Sequence, residues 1–161
     1  MSAYCARSTI LMLGLLTGCA ATATPVLAPG HAVAITDSAR ATMAEYVKWM
    51  NARDVDALMR LYVDDGRFSW VADGQVQSLT SIRNGIESAA GYSRVHLEYT
   101  DTKVTPLAPG VASVTTRYTM SLGDSATGFT FGGAITMNLI HTTTGWKLLD
   151  GHSSSPRAAA N

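Results

Sequence analysis

The sequence predicts an α+β domain, with helices first and antiparallel strands after them. From Met43 to Ala89 the apolar residues recur at helical spacing, and from Val95 onward the period changes to two. The second half is also divided into runs by "APGV", "GDSATG" and "TTTG", whose Gly, Pro, Asp and Thr are turn formers. Helices grouped ahead of strands joined by short turns are the pattern of an α+β fold.

Each element has its own signal. Met43, Tyr46, Val47 and Met50 fall on one face of a first helix, with Asp37 or Ser38 placed to cap its start. Val55, Leu58, Met59 and Tyr62 repeat that spacing on a second, shorter helix. "FSWVADGQVQ" sets Asp-Gly between two extended runs, a hairpin signal. A third helix carries Leu79, Ile82, Ile86 and Ala89, with Thr80 or Ser81 near its start. In "VHLEYT", Val95, Leu97 and Tyr99 alternate with His96, Glu98 and Thr100. In "VASVTTRYTMSL", Val114, Tyr118, Met120 and Leu122 oppose Ser113, Thr115, Arg117 and Thr119. "GFTFGGAITMNLI" and "GWKLLDGHSS" continue the strands.

The N-terminus has a different character. "MSAYCAR" carries one positive charge, and "STILMLGLLTG" is an apolar run about half the ~20 residues that span a bilayer. That combination is expected to be a secretory leader over residues 1–18. Its end, "LTGC" from Leu16 to Cys19, resembles the lipobox of bacterial lipoproteins. The resemblance implies a lipid on Cys19, which becomes the first residue of the mature chain. Because Ala20 rather than Asp follows, it also implies the periplasmic side of the outer membrane in a host that has one. The other cysteine, Cys5, falls in the leader, so no internal disulfide is expected. Residues 19–36, rich in Ala, Thr and Pro, read as a tether. Residues 37–155 are the expected domain and 156–161 a disordered tail. Removing Arg7 from the twelve basic residues leaves eleven against twelve acidic ones. Without a basic stripe, nucleic acid is not expected as a partner.

Four aspartates, Asp54, Asp56, Asp64 and Asp65, lie in "MNARDVDALMRLYVDDGRF". Asp54 precedes the second helix and is placed to cap it, and Asp56 favours the same helix dipole. Asp64 and Asp65 lie beyond the other end, roughly 15 Å from Asp54 at ~1.5 Å per helical residue, so the two pairs cannot share a metal. They are expected to serve the turn through Gly66, solvated or paired with Arg67. No HxH, HExxH or clustered Cys supports a metal, and no Gly-rich phosphate loop supports a nucleotide. No cofactor is expected.

"YVKWMNARDVDALMRLYVDDGRFSW", the "GI" at Gly85–Ile86 and "GWKLLDGHSSS" resemble the nuclear transport factor 2-like superfamily, in particular its SnoaL-like bacterial branch. The resemblance implies a cone: three N-terminal helices on a strongly curved antiparallel sheet, with a pocket between and pairing of copies through their sheets as a homodimer. Against the ketosteroid isomerases of that superfamily, the first-helix tyrosine falls on Tyr46. The catalytic aspartate falls on Trp70, and the second acidic donor near Met137. A tryptophan cannot take a proton from carbon, and a methionine donates no hydrogen bond, so the resemblance leans away from that enzyme. The last strand is also similar to the association domain of calcium/calmodulin-dependent protein kinase II, whose strand arginine matches Arg117.

By strand parity Trp146, Leu148, Asp150 and His152 share one face, with His152 at the rim. In the cone that the resemblance implies, Tyr46, Trp70, Arg117 and His152 converge on one pocket, which is expected to bind a small apolar or weakly acidic molecule. The parity of Arg117, opposite Tyr118 and Met120, leaves an outward position as its alternative. A cofactor-free isomerase, cyclase or dehydratase using His152 and Tyr46 is the enzymatic alternative, and an oligomeric assembly module the third. His96, Glu98 and His141 are expected to face solvent or a partner subunit.

If Cys19 carries the anchor, the wild-type chain partitions with membranes and Cys19→Ser leaves it uncleaved or soluble. Fractionation and N-terminal sequencing check this, and a soluble wild-type chain beginning after Cys19 overturns it.

Overall fold

The computed structural model describes residues 27–124 and 127–156. The expected leader, Cys19, the first part of the tether and residues 157–161 of the tail lie outside the described residues.

Helix α1 spans Pro29–Ala52 and starts eight residues before the expected domain boundary at residue 37. Residues 29–36, read as tether, are helical. Pro29 opens the helix, because its ring presets a helical φ and its missing N–H would be unsatisfied in the first turn anyway. Ala28 is the N-cap, and Asp37 and Ser38 lie inside the helix. The added turns bury Ile35, which joins Ala39, Met43 and Met50 in the core. Arg53 closes the helix in the left-handed region at φ 59°.

Helix α2 is a single short element, Val55–Met59, and Asp54 Oδ1 accepts the Ala57 N–H at 2.8 Å, as a cap should. The remaining aspartates are also scaffolding. Asp56 pairs with Arg83 at 3.0 Å. Asp65 accepts the Arg67 backbone N–H at 2.9 Å and its guanidinium at 2.8 Å. Asp64 is exposed at the turn.

Strands β1 (Ser69–Ala72) and β2 (Gln75–Gln77) form the expected hairpin. Asp73 and Gly74 both take positive φ, 48° and 82°, the turn that matches strand twist. Helix α3 is Leu79–Ala90, with Thr80 and Ser81 in its first turn, and Ser78 caps it, its hydroxyl accepting the Ser81 N–H at 3.0 Å.

Four long strands follow: β3 (Arg94–Ala108), β4 (Val111–Gly123), β5 (Gly128–Thr142) and β6 (Gly145–Ser154). The sheet order is β2-β1-β6-β5-β4-β3, antiparallel except where β1 lies parallel to β6. The core lies between α1 and the inner face, where Ala112, Val114, Met137, Leu139 and Leu148 are buried. Strand β3 is an edge. The Asn51 side chain donates to the Leu97 carbonyl at 3.0 Å and accepts its N–H at 2.6 Å, which satisfies that edge residue as a neighbouring strand would.

Asp54→Ala removes the cap of α2 and is expected to lower stability by about 1 kcal/mol. Urea unfolding measures this, and an unchanged midpoint would show that the cap contributes nothing.

Candidate functional site

The inner face of the sheet, α1 and α3 border a cavity of about 390 Å³ that is open to solvent. Tyr46 and Met50 of α1 and Tyr62 after α2 line it. So do Trp70 and Ala72 of β1, and Gln77, Ser81, Ile82, Gly85, Ile86 and Ala89 around α3. The sheet adds Tyr118, Met120, Leu122, Phe131, Ile135 and Ser153. The wall is mostly apolar, with few polar groups, the usual build of a small-molecule site.

The polar groups are hydroxyls and amides. The Tyr46 and Tyr62 hydroxyls lie 2.9 Å apart and hydrogen-bond to each other. Tyr62 is only 3% exposed. Tyr46 stacks on Tyr99 with centroids 6.1 Å apart, and Tyr62 meets Phe68 edge-on at 5.7 Å. Burial raises the pKa of Tyr46, which the bond from Tyr62 partly offsets. Burial raises Tyr62 and Tyr99 well above the ordinary phenol value, with nearby phenols adding to it. All three are therefore neutral across the physiological range. Two hydroxyls that share one bond use one proton between them, so the other proton remains for a third oxygen.

Trp70 lines the cavity, and its Nε1–H donates to the Ser153 hydroxyl at 3.3 Å. Its ring lies across Gly151, where a β-carbon would collide with it. Tyr118 hydrogen-bonds Ser155 at 2.9 Å, and Ser155 donates its N–H to Asp73 at 2.7 Å. At the mouth, Phe131 stacks on Phe129, and the two are 40% and 52% exposed.

Two of the four expected pocket residues are elsewhere. Tyr46 and Trp70 line the cavity, but Arg117 and His152 do not. Arg117 follows the regular alternation of β4 and points outward, because Tyr118 and Met120 face in. His152 is displaced by a β-bulge. Leu139 pairs with Leu148 and Asn138 with Asp150, so Leu149 has no partner. The extra residue reverses parity. Leu148 faces the core, whereas Gly151 and Ser153 take the inner positions after the bulge, and Asp150 and His152 face outward. The pairing of His152 with Tyr46 required by the enzymatic alternative is not formed. Asp150 instead accepts a hydrogen bond from Asn138 at 2.8 Å.

Sequence reasoning missed Tyr62, Tyr118 and Ser153 as site residues. The first two were visible as apolar-face positions of their elements. Ser153 had no signal apart from the bulge. A larger cleft of about 690 Å³ lies between α2, α3 and β6, lined by Asp56, Arg60, Asp64, Arg83 and Lys147. Asp56, Arg60 and Asp64 are exposed, and Arg83 is already paired with Asp56 and Glu87, so the cone is the better candidate. Among the described residues, no group of three or more His, Cys, Asp or Glu could hold a metal.

A helical layer over one curved sheet with an apolar cavity between them defines a cone-shaped α+β protein of the nuclear transport factor 2-like fold. Residues 39–158 match the SnoaL-like domain family, and the chain belongs to it. Among solved structures it is similar to a candidate dehydratase of the nuclear transport factor 2-like family from Streptomyces avermitilis. That match has a TM-score of 0.67 and 18% identity, covering 78% of this chain and 99% of that one. It is also similar to a nuclear transport factor 2-like superfamily protein from Salmonella enterica, with TM-score 0.67, 13% identity and 80% and 95% coverage. A third is a candidate calcium/calmodulin-dependent protein kinase II association domain from Xanthomonas campestris, with TM-score 0.63, 16% identity and 75% and 87% coverage. At these identities the likeness is one of fold. No curated protein matches the sequence.

The raised phenols predict an alkaline limit. Above about pH 10 the unfolded chain ionises its tyrosines before the folded one does. The stability they contribute is complete below that pH and is lost as pH rises through the folded values. Absorbance titration should show Tyr46, Tyr62 and Tyr99 ionising late, together with unfolding. Tyr62→Phe should make the alkaline loss less steep.

Proposed function

We propose that this chain is a membrane-held binding protein whose cone takes a small, neutral, largely apolar molecule with one oxygen directed at Tyr46 and Tyr62. The supporting observation is the hydroxyl pair within an aromatic wall that has no charged side chain among its lining residues. An anion placed there would lose its hydration without gaining a cation, so the weakly acidic ligands expected from Arg117 and His152 are disfavoured. The free hydroxyl proton serves a carbonyl, an ether or a neutral hydroxyl equally well. The expected leader over residues 1–18, followed by Cys19, supports the membrane part of the proposal. Arg117 and His152 then belong to the outer face of the sheet, through which two copies would pair.

A reaction in the same cone is the second reading, favoured by the dehydratase description of a fold relative. It would have to proceed without an imidazole or carboxylate in the lining, leaving only hydroxyls and an amide to move protons.

The reading is tested with 2-naphthol, a neutral fluorescent molecule with one hydroxyl. Wild type should bind it and melt at a higher temperature in its presence. Tyr46→Phe should weaken binding about tenfold, the equivalent of roughly one neutral hydrogen bond. Arg117→Ala and His152→Ala should leave it unchanged. Loss of binding in either of those two, with Tyr46→Phe unaffected, would move the site to the outer face of the sheet.

A further inference from the structure

We propose that Asn84 is a site of spontaneous covalent modification, deamidating through a cyclic imide when α3 opens. Four steps along the chain join an aspartate or asparagine to glycine: Asp65–Gly66, Asp73–Gly74, Asn84–Gly85 and Asp150–Gly151. Such a step favours imide closure, because no β-carbon on the glycine hinders the attack of its nitrogen on the preceding side chain. Three of the four are held. Asp65 accepts the Arg67 backbone N–H and guanidinium. Asp73 accepts the Ser155 N–H at 2.7 Å, and Asp150 accepts the Asn138 amide at 2.8 Å. All three are acids besides, and a carboxylate is a poorer electrophile than an amide. Asn84 is the exception. The side-chain hydrogen bonds of α3 belong to Ser81 and Arg83, and the exposed Asn84 makes none among the described residues. Gly85 is exposed too, and nothing lies within 4 Å of where its β-carbon would stand.

The helix restrains the reaction. In α3 the Gly85 N–H is committed to the Ser81 carbonyl four residues back, so its nitrogen cannot reach Asn84 Cγ until that turn opens. The turn is lightly held. Glycine weakens a helix interior, and Ile86 is the one buried residue of α3. A segment with few buried contacts and exposed backbone opens locally at modest cost. On opening, the Gly85 nitrogen attacks Asn84 Cγ. The N–Cγ bond forms, the Cγ–Nδ2 bond breaks, and ammonia leaves with the proton from the Gly85 nitrogen. Water then opens the imide. Addition at Cγ gives aspartate, and addition at the main-chain carbonyl gives isoaspartate, in which the backbone runs through the former side chain. Either product loosens α3. Aspartate sets a second negative charge one turn before Glu87. Isoaspartate lengthens the backbone and breaks the ladder that holds Ile82 and Ile86 against the core. Because Ser81, Ile82, Ile86 and Ala89 line the cavity, the modification ages one wall of the cone.

The test incubates the intact chain at neutral pH, follows acidic charge variants by ion exchange and maps isoaspartate in peptides. Wild type should accumulate a variant modified at Asn84, between about tenfold and a hundredfold faster in urea than when folded. Two variants should suppress it in the folded chain. Asn84→Gln would have to close a larger, disfavoured ring, and Gly85→Ala restores a β-carbon and firms the helix. A folded rate within about tenfold of the rate in urea removes the gating by α3 and overturns the proposal. So does an acidic variant that persists in Asn84→Gln, or a folded wild type still unmodified after about a hundredfold longer than the urea sample needs.

Discussion

The cone depends on the unpaired residue in β6. With Leu149 bulged out of the ladder, Leu148 seals the core on one side of it, and Gly151 and Ser153 face inward on the other. Gly151 then leaves room for the Trp70 ring, and Ser153 accepts its indole N–H. Strand β1 can lie parallel to β6, with Trp70 opposite Gly151, because that ring has somewhere to go. Without the bulge, Asp150 and His152 would point into an apolar interior, where a charge is costly unless paired. The bulge therefore decides both the shape of the cavity and its neutrality.

Neutrality shapes the chemistry in turn. The inner wall offers phenols, an indole, an amide and aliphatic surface, and burial keeps the phenols protonated. Such a wall supplies orientation and one or two hydrogen bonds, but no strong base. The charged residues of this domain are at its surface: Asp65 with Arg67, and Asp56 with Arg83 and Glu87. Exposed pairs of that kind add little stability, and their value here is in shaping turns. The edge of the sheet is managed separately, by the Asn51 amide on Leu97 and by α1 packed along β3.

The α+β class, three helices, the Asp-Gly hairpin, the cap at Asp54 and the inward set Leu97, Tyr99, Val114, Tyr118 and Met120 are legible in the chain alone. Each of these follows from local periodicity or from a residue acting on its immediate neighbours, so a linear reading reaches it. The start of α1 at Pro29, ahead of the expected cap at Asp37 or Ser38, is not legible locally, because Pro-Gly opens a helix as readily as it ends one. The face His152 occupies, and the meeting of Tyr62 and Ser153 with Tyr46 and Trp70, depend on strand pairing. A bulge is a property of the pairing between β5 and β6, and β1 meets β6 across about eighty residues of chain. Parity along one strand carries no record of a residue left without a partner on the next.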